Sequence, residues 1–156
     1  MMSSKYLQAF TLAFAAFLAA CSPIKVLNAL TPNSTFTKTS AIAYGGDPRQ
    51  KLDIYRAVPA VPNAPVVVFF YGGSWNSGSK DDYRFVGEAL ASRGIVVVIA
   101  DYRLYPQVRY PAFLQDGAKA VAWTYNHAVE YGADPQQLYV MGHSSGAYNA
   151  SMLALD

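Results

Sequence analysis

The sequence predicts an α/β protein with a mostly parallel sheet and helices on both faces. Three observations predict it. From Val66 onward, strand-like and helix-like runs alternate without a break. The strand-like runs, such as Val66–Tyr71 (VVVFFY), lack polar alternation, as strands covered on both faces do. Alternation of this kind requires crossover connections, which are right-handed and lay helices on the sheet. In such sheets chemistry gathers at the carboxyl ends of the strands.

Taken in order, the first twenty residues stand apart. Lys5 gives a basic start, and YLQAFTLAFAAFLAA is an apolar run of 15 residues. A membrane-spanning helix needs roughly 20, so the run reads as a secretory signal peptide over residues 1–20. It ends in Leu18-Ala19-Ala20-Cys21, which resembles the cleavage box of bacterial lipoproteins. That resemblance implies a lipid on Cys21 and a membrane anchor through it. With Ser22 next, it also implies export to the cell envelope as a periplasm-facing lipoprotein of the outer membrane. Cys21 is the only cysteine, so it has no disulfide partner within the chain. Residues 21–38 read as a polar tether, and residues 39–156 as the domain.

Within that domain, Thr37–Gly45 and Gln50–Ala57 read as two short strands around the turn Gly45-Gly46-Asp47-Pro48. A proline-rich loop, VPAVPNAP, precedes the first buried strand. A helix is expected from Asp81 to a stop at Gly94, followed by a second buried strand, Ile95–Tyr102. Proline in the first turn opens the next helix, Pro111–Tyr131. Its apolar stripe reads Leu114, Ala118, Val121, Tyr125 and Val129. Gly132 ends it, Asp134-Pro135 makes a turn, and LYVMG is a third buried strand before a helix from Ser145. The net charge is +2 with no Lys/Arg block, which argues against a nucleic-acid partner.

Gly142-His143-Ser144-Ser145-Gly146 is a G-x-S-x-G pentapeptide. By composition it recurs in about one in twenty chains of this length. Here it sits where its chemistry requires, after a buried strand and before a helix. A serine in that sharp turn presents its hydroxyl at the sheet's edge, and flanking glycines let the backbone pack close. The Ser145 N–H opens the helix, unpaired within it and aimed at developing negative charge. Tyr71-Gly72-Gly73-Ser74-Trp75 follows the first buried strand, and its consecutive glycines free backbone N–H groups to face a ligand.

These segments resemble the serine esterases and lipases of the α/β-hydrolase fold. They are most similar to the carboxylesterase group whose oxyanion loop reads His-Gly-Gly-Gly/Ala-Trp. The similarity runs over residues 39–156 through VVVFFYGGSWNSG, IVVVIADYRLYP and the span from Tyr110 to Ala150. It implies Ser144 as nucleophile, and an oxyanion hole from the N–H groups of Gly72, Gly73 or Ser74 with Ser145. It implies a small ester substrate and neither metal nor cofactor. Tyr71 departs from the group's histidine. Asp101, Arg103 and Asp116 match family positions, with structural pairing the expected role.

A serine needs an adjacent base, and in this fold the order is Ser, Asp or Glu, then His. No histidine follows Ser144, and the only later acid is Asp156. Asp156 lies about 18 Å away along a helix. His143 is expected to pack under the turn. His127 is expected to face water, about 170° from the apolar stripe, and at the far end of the sheet, about 17–20 Å off. The chain therefore reads as the front part of a hydrolase, with the acid and histidine beyond residue 156. Two alternatives stay open. One is a non-catalytic truncated lipoprotein that binds acyl groups or a partner. The other is assembly with a second polypeptide that supplies the missing strands and histidine. Arylformamidase or peptidase chemistry is a close variant. Oligomeric state is not legible.

Overall fold

The computed structural model describes residues 23–155. The expected signal segment, Cys21 and Asp156 lie outside the described residues. Five strands form one sheet: β1 (Phe36–Ala43), β2 (Lys51–Ala57), β3 (Ala64–Phe70), β4 (Val96–Ala100) and β5 (Ala133–Gly142). Their spatial order is β1-β2-β4-β3-β5. β4, β3 and β5 are mutually parallel, while β2 pairs antiparallel with both β1 and β4. Only β2 therefore opposes the common direction among these strands. Among the described residues four α-helices accompany them: α1 (Pro23–Leu30), α2 (Arg84–Ala91), α3 (Ala112–His127) and α4 (Ser145–Leu155).

The core sits on β3 and β4, where Val66, Val68, Phe70, Val97, Val98 and Ile99 are buried. α2 covers one face, with Gly87 set against the Tyr55 ring of β2. α3 and α4 cover the other, where Gly117 approaches the Phe70 ring and Leu153. Tyr55 pairs with Val97, and Val97 with Val67, so that row and Phe70 project to opposite faces by strand alternation. Helices thus lie on both faces, as the alternating pattern predicts.

Four local expectations are corrected. The segment expected as a tether carries α1, and β1 starts at Phe36. α1 docks because Asn28 Nδ2 donates to Asp81 O at 2.8 Å and Asn28 Oδ1 accepts the Phe85 N–H at 3.2 Å. Arg84 completes the dock on the carbonyls of Asn28, Thr31 and Pro32.

The buried stripe of α3 is Phe113, Asp116, Gly117, Ala120 and Thr124, one residue round from the expected one. One residue is about 100° of rotation, so Tyr125 and Val129 stand 50% and 73% exposed. Two forces set that rotation. Gly117 and Ala120 let the helix backbone approach the sheet. Asp116 is drawn inward by the Arg103 guanidinium (2.7 and 2.8 Å) and by Gln50 Nε2 (2.7 Å). The same rotation half-buries His127, which stacks on Trp123 at 4.2 Å rather than facing water.

β5 reads as a buried strand by its apolar run, but with no strand beyond it in this sequence an exposed hydrophobic edge is expected, and an edge is found: Tyr139 and Met141 are 57% and 45% exposed. It also starts earlier, at Ala133, with Asp134-Pro135 inside a bulge. Ala64 pairs with Ala133, yet Val66 pairs with Leu138.

Candidate active site

Three connections meet at the carboxyl ends of the parallel strands: residues 71–79 after β3, 101–111 after β4 and 143–144 after β5. Ser144 is an exposed residue at φ +54, the left-handed region that a side chain tolerates only under local constraint. The glycines on either side supply that constraint. A Cβ on Gly142 would overlap Gly146 O, and one on Gly146 would overlap the Phe70 carbonyl at the end of β3. The turn is closed by Gly146 N–H on His143 O at 2.9 Å and by His143 N–H on Phe70 O at 3.1 Å. Ser145 is the first residue of α4, where the leading N–H groups have no intrahelical acceptor.

The 71–75 connection lies directly against this turn. A Cβ placed on Gly72 would stand 2.9 Å from Ser144 Cβ and 3.0 Å from His143 O. Gly73, Ser74 and Trp75 all take positive φ (+133, +51 and +57). Gly73 O accepts the Asn76 and Ser77 N–H groups at 3.0 and 3.1 Å, which closes the connection on itself. The structure thus sets Gly72 against Ser144, with Gly73 and Ser74 following along the same connection and Ser145 following along the turn. Gly72 N–H also has a long 3.4 Å contact to Tyr83 Oη.

Several supporting residues escaped the sequence reading. Trp75 Nε1 donates to Asn149 Oδ1 at 2.9 Å, which ties the 71–75 connection to α4. Trp75 also stacks on Phe113 at 5.3 Å. Arg49 reaches under the loop from the β1–β2 turn. It donates to Tyr71 Oη (2.7 Å), Gly78 O (3.1 Å) and Tyr102 O (2.9 Å). Tyr71, the departure from histidine, is sandwiched between Tyr102 (4.8 Å) and Tyr83 (6.0 Å). Burial raises the Tyr71 phenol well above its ordinary range, with Asp101 adding to the effect. Burial likewise pushes the Tyr102 phenol up to about 12. Both stay neutral donors near pH 7, and Tyr102 Oη donates to Tyr71 O at 2.7 Å. The signals were there in principle: a GGSW run needs a partner for its indole, and a buried tyrosine needs one for its hydroxyl.

Arg103 and Asp116 form a structural pair, as expected, and Asp101 Oδ1 accepts the Lys80 N–H at 2.8 Å. His143 does not pack under the turn. It is exposed on the rim, with Nδ1 3.0 Å from Tyr83 Oη. Its place is set by the neighbouring 71–75 connection, which fills the space below. His127 binds Trp123 O through Nδ1 at 2.8 Å and lines the amino ends of β3 and β4. Among the described residues neither histidine is hydrogen-bonded to Ser144, and no cluster of three His, Cys, Asp or Glu side chains could hold a metal ion. A cavity of about 460 Å³ lined by Arg56, Val61 and Tyr131 lies at the opposite end of the sheet and touches none of these residues.

The BD-FAE family pattern matches residues 52–156, which contain all of this geometry except Arg49. The chain belongs to the BD-FAE family. Two curated relatives indicate the chemistry of its neighbourhood. A probable isoprenylcysteine alpha-carbonyl methylesterase of Arabidopsis thaliana is 38% identical over 111 residues, 71% of this chain and 23% of that protein. Carboxylesterase NlhH of Mycobacterium tuberculosis is 39% identical over 93 residues, 59% of this chain and 29% of that protein. Among solved structures, esterase B of Lactobacillus rhamnosis superposes with a TM-score of 0.78 at 27% identity, covering 96% of this chain and 48% of that one. A hyperthermophilic esterase of Pyrobaculum calidifontis gives 0.71 at 26% identity, covering 99% and 54%. The fold is therefore the α/β-hydrolase fold of esterases, represented by its N-terminal part. The chain spans about a quarter of the length of the curated relatives it matches.

Proposed function

We propose that this polypeptide is the nucleophile-bearing part of a serine hydrolase for carboxylic esters. The observation that carries the reading is Ser144, held at φ +54 within van der Waals reach of the Gly72 backbone. Ser144 Oγ adds to the ester carbonyl carbon while its proton passes to a histidine. The carbonyl oxygen becomes an oxyanion that accepts hydrogen bonds from Ser145 N–H and from the N–H of Gly73 or Ser74, the Gly72 N–H being directed to Tyr83 Oη. Collapse expels the alcohol, which takes that proton and leaves an acyl group on Oγ. Water then hydrolyses the acyl-enzyme through the same relay. The sequence needs no metal or cofactor. The histidine and its acid come from polypeptide that the 156 residues do not contain, since neither His127 nor His143 is placed to serve. The isolated chain is then inactive. Export and a lipid on Cys21 complete the reading and place the site at an envelope membrane. Palmitate incorporation that disappears in Cys21→Ser checks that part.

A fluorophosphonate probe, which reacts with activated serines, tests the chemistry. The isolated chain is expected to stay unlabelled. Adding a polypeptide that carries the remaining strands and a histidine is expected to give labelling, abolished in Ser144→Ala. Labelling of the isolated chain at Ser144 would contradict the missing base, and labelling at another serine would contradict the nucleophile.

A further inference from the structure

Tyr83 joins the two connections on which the proposed chemistry depends, and neither the relatives nor the motifs assign it a role. It ends the short 3₁₀ turn Lys80–Tyr83, which Ser79 caps by accepting the Asp81 N–H at 3.2 Å. Its ring is 6% exposed, packed on Phe69 at 5.3 Å and Phe85 at 5.8 Å. Its Oη lies 3.4 Å from the Gly72 N–H and 3.0 Å from His143 Nδ1. Gly72 follows β3 and His143 precedes the nucleophile, so one hydroxyl spans both halves of the site.

The hydrogen-bond accounting fixes the direction. A phenol has one proton to give and can accept others. Gly72 N–H can only donate, so Oη accepts from it. The phenolic proton is then free to donate to His143 Nδ1. That requires Nδ1 to be unprotonated and the imidazole proton to sit on Nε2. The opposite tautomer would send two donors to Oη and leave the phenolic proton without an acceptor in a largely buried site. His127 provides the mirror case. Its Nδ1 lies 2.8 Å from Trp123 O, which can only accept, so that histidine carries its proton on Nδ1.

We propose that Tyr83 is a positioning residue that sets the separation between the 72–74 connection and the nucleophile turn, and that it holds His143 in the Nε2–H tautomer. The two connections already lie close together, since a Cβ added to Gly72 would stand 2.9 Å from Ser144 Cβ, and they have little room to approach further. Tyr83 limits the opposite movement. It acts beside the Trp75–Asn149 tie, which fixes the connection to α4 rather than to the turn itself. The functional meaning of this role rests on the proposed ester hydrolysis, because an oxyanion hole works only at a fixed donor distance.

The test is nitrogen-15 NMR of the full chain with labelled histidine, before and after Tyr83→Phe, which keeps the ring and its stacking. In the wild-type chain the two neutral imidazole forms are expected to differ in proton placement, with that of His143 on Nε2 and that of His127 on Nδ1. Tyr83→Phe is expected to shift the His143 signals toward a mixture of tautomers and leave those of His127 unchanged. Exchange of the Gly72 amide is expected to accelerate about fivefold, the size of one modest hydrogen bond. A His143 proton on Nδ1 in the wild type would overturn the proposal without any variant. So would a Tyr83→Phe chain in which His127 reports an intact fold and His143 does not move. Failure of the hydrolase reading shows itself separately, as a Ser144 that the fluorophosphonate never labels in the completed protein while the tautomers remain as described.

Discussion

The carboxyl rim of the sheet and the outer edge of β5 are only a few residues apart along the chain, and they are built oppositely. At the rim the connections are tied to one another, although Ser145 Oγ and Asn149 Nδ2 are buried without a hydrogen-bond partner. Trp75 bonds Asn149, Arg49 holds three oxygens, and Gly146 leaves no room for a methyl group. Along the edge, Tyr139 and Met141 project outward, and Ala118, Val121, Tyr125, Leu138 and Leu153 line an open apolar groove of about 360 Å³. The contacts that fix the serine turn lie within these residues, whereas the edge is apolar surface that no described residue covers. Positioning the serine therefore depends on local packing near β3, and is separable from whatever lies beside β5.

That separation can be broken or sharpened by substitution. The largest effect is expected from Gly146→Ala. Its methyl group would overlap the Phe70 and Tyr71 carbonyls, which are backbone and cannot turn aside. A loss of at least about 3 kcal/mol in urea unfolding is expected, the upper range for overpacking. A loss below about 1 kcal/mol would mean that the turn is looser than described.

Asp116→Asn comes next. Asp116 is fully buried, and although burial alone would raise its pKa, the Arg103 and Gln50 hydrogen bonds hold it below the ordinary value of 3.8. A carboxylate depressed in this way contributes stability at pH values above its unfolded pKa. That contribution is lost as pH falls through the lower, folded value. The variant is expected to lose about 3 kcal/mol near pH 7, with the difference from wild type shrinking below about pH 4. A penalty independent of pH would assign the effect to packing instead.

The smallest change in stability is expected on the edge. Met141→Lys should alter unfolding by no more than about 0.5 kcal/mol. It should nevertheless reduce aggregation measured by light scattering, because a charge blunts an exposed strand edge. A destabilisation as large as that of Asp116→Asn would show that the edge is packed after all.

Much of this was legible from residue types. Buried strands announced themselves by continuous Val, Ile and Phe, and the serine turn by glycines placed where strand meets helix. What was not legible was rotation and partnership. The α3 stripe of Leu114, Val121 and Tyr125 looked inward by periodicity, yet Asp116, paired to Arg103, took the inner position. Hydrophobic patterning has no means of knowing that a carboxylate will be neutralised from a distant loop. α1 was hidden for a similar reason, since its dock depends on Asn28 and Arg84 rather than on an apolar face. His143 was misplaced because the turn's underside is filled by a separate connection.

The central claim is that Ser144 faces amide donors from two connections. The most direct measurement is a crystal structure of the completed protein with Ser144 phosphonylated. The phosphonyl oxygen is expected about 2.7–3.1 Å from the Ser145 nitrogen and from a nitrogen of the 72–74 connection. An oxygen directed into solvent, with neither amide within reach, would contradict the account.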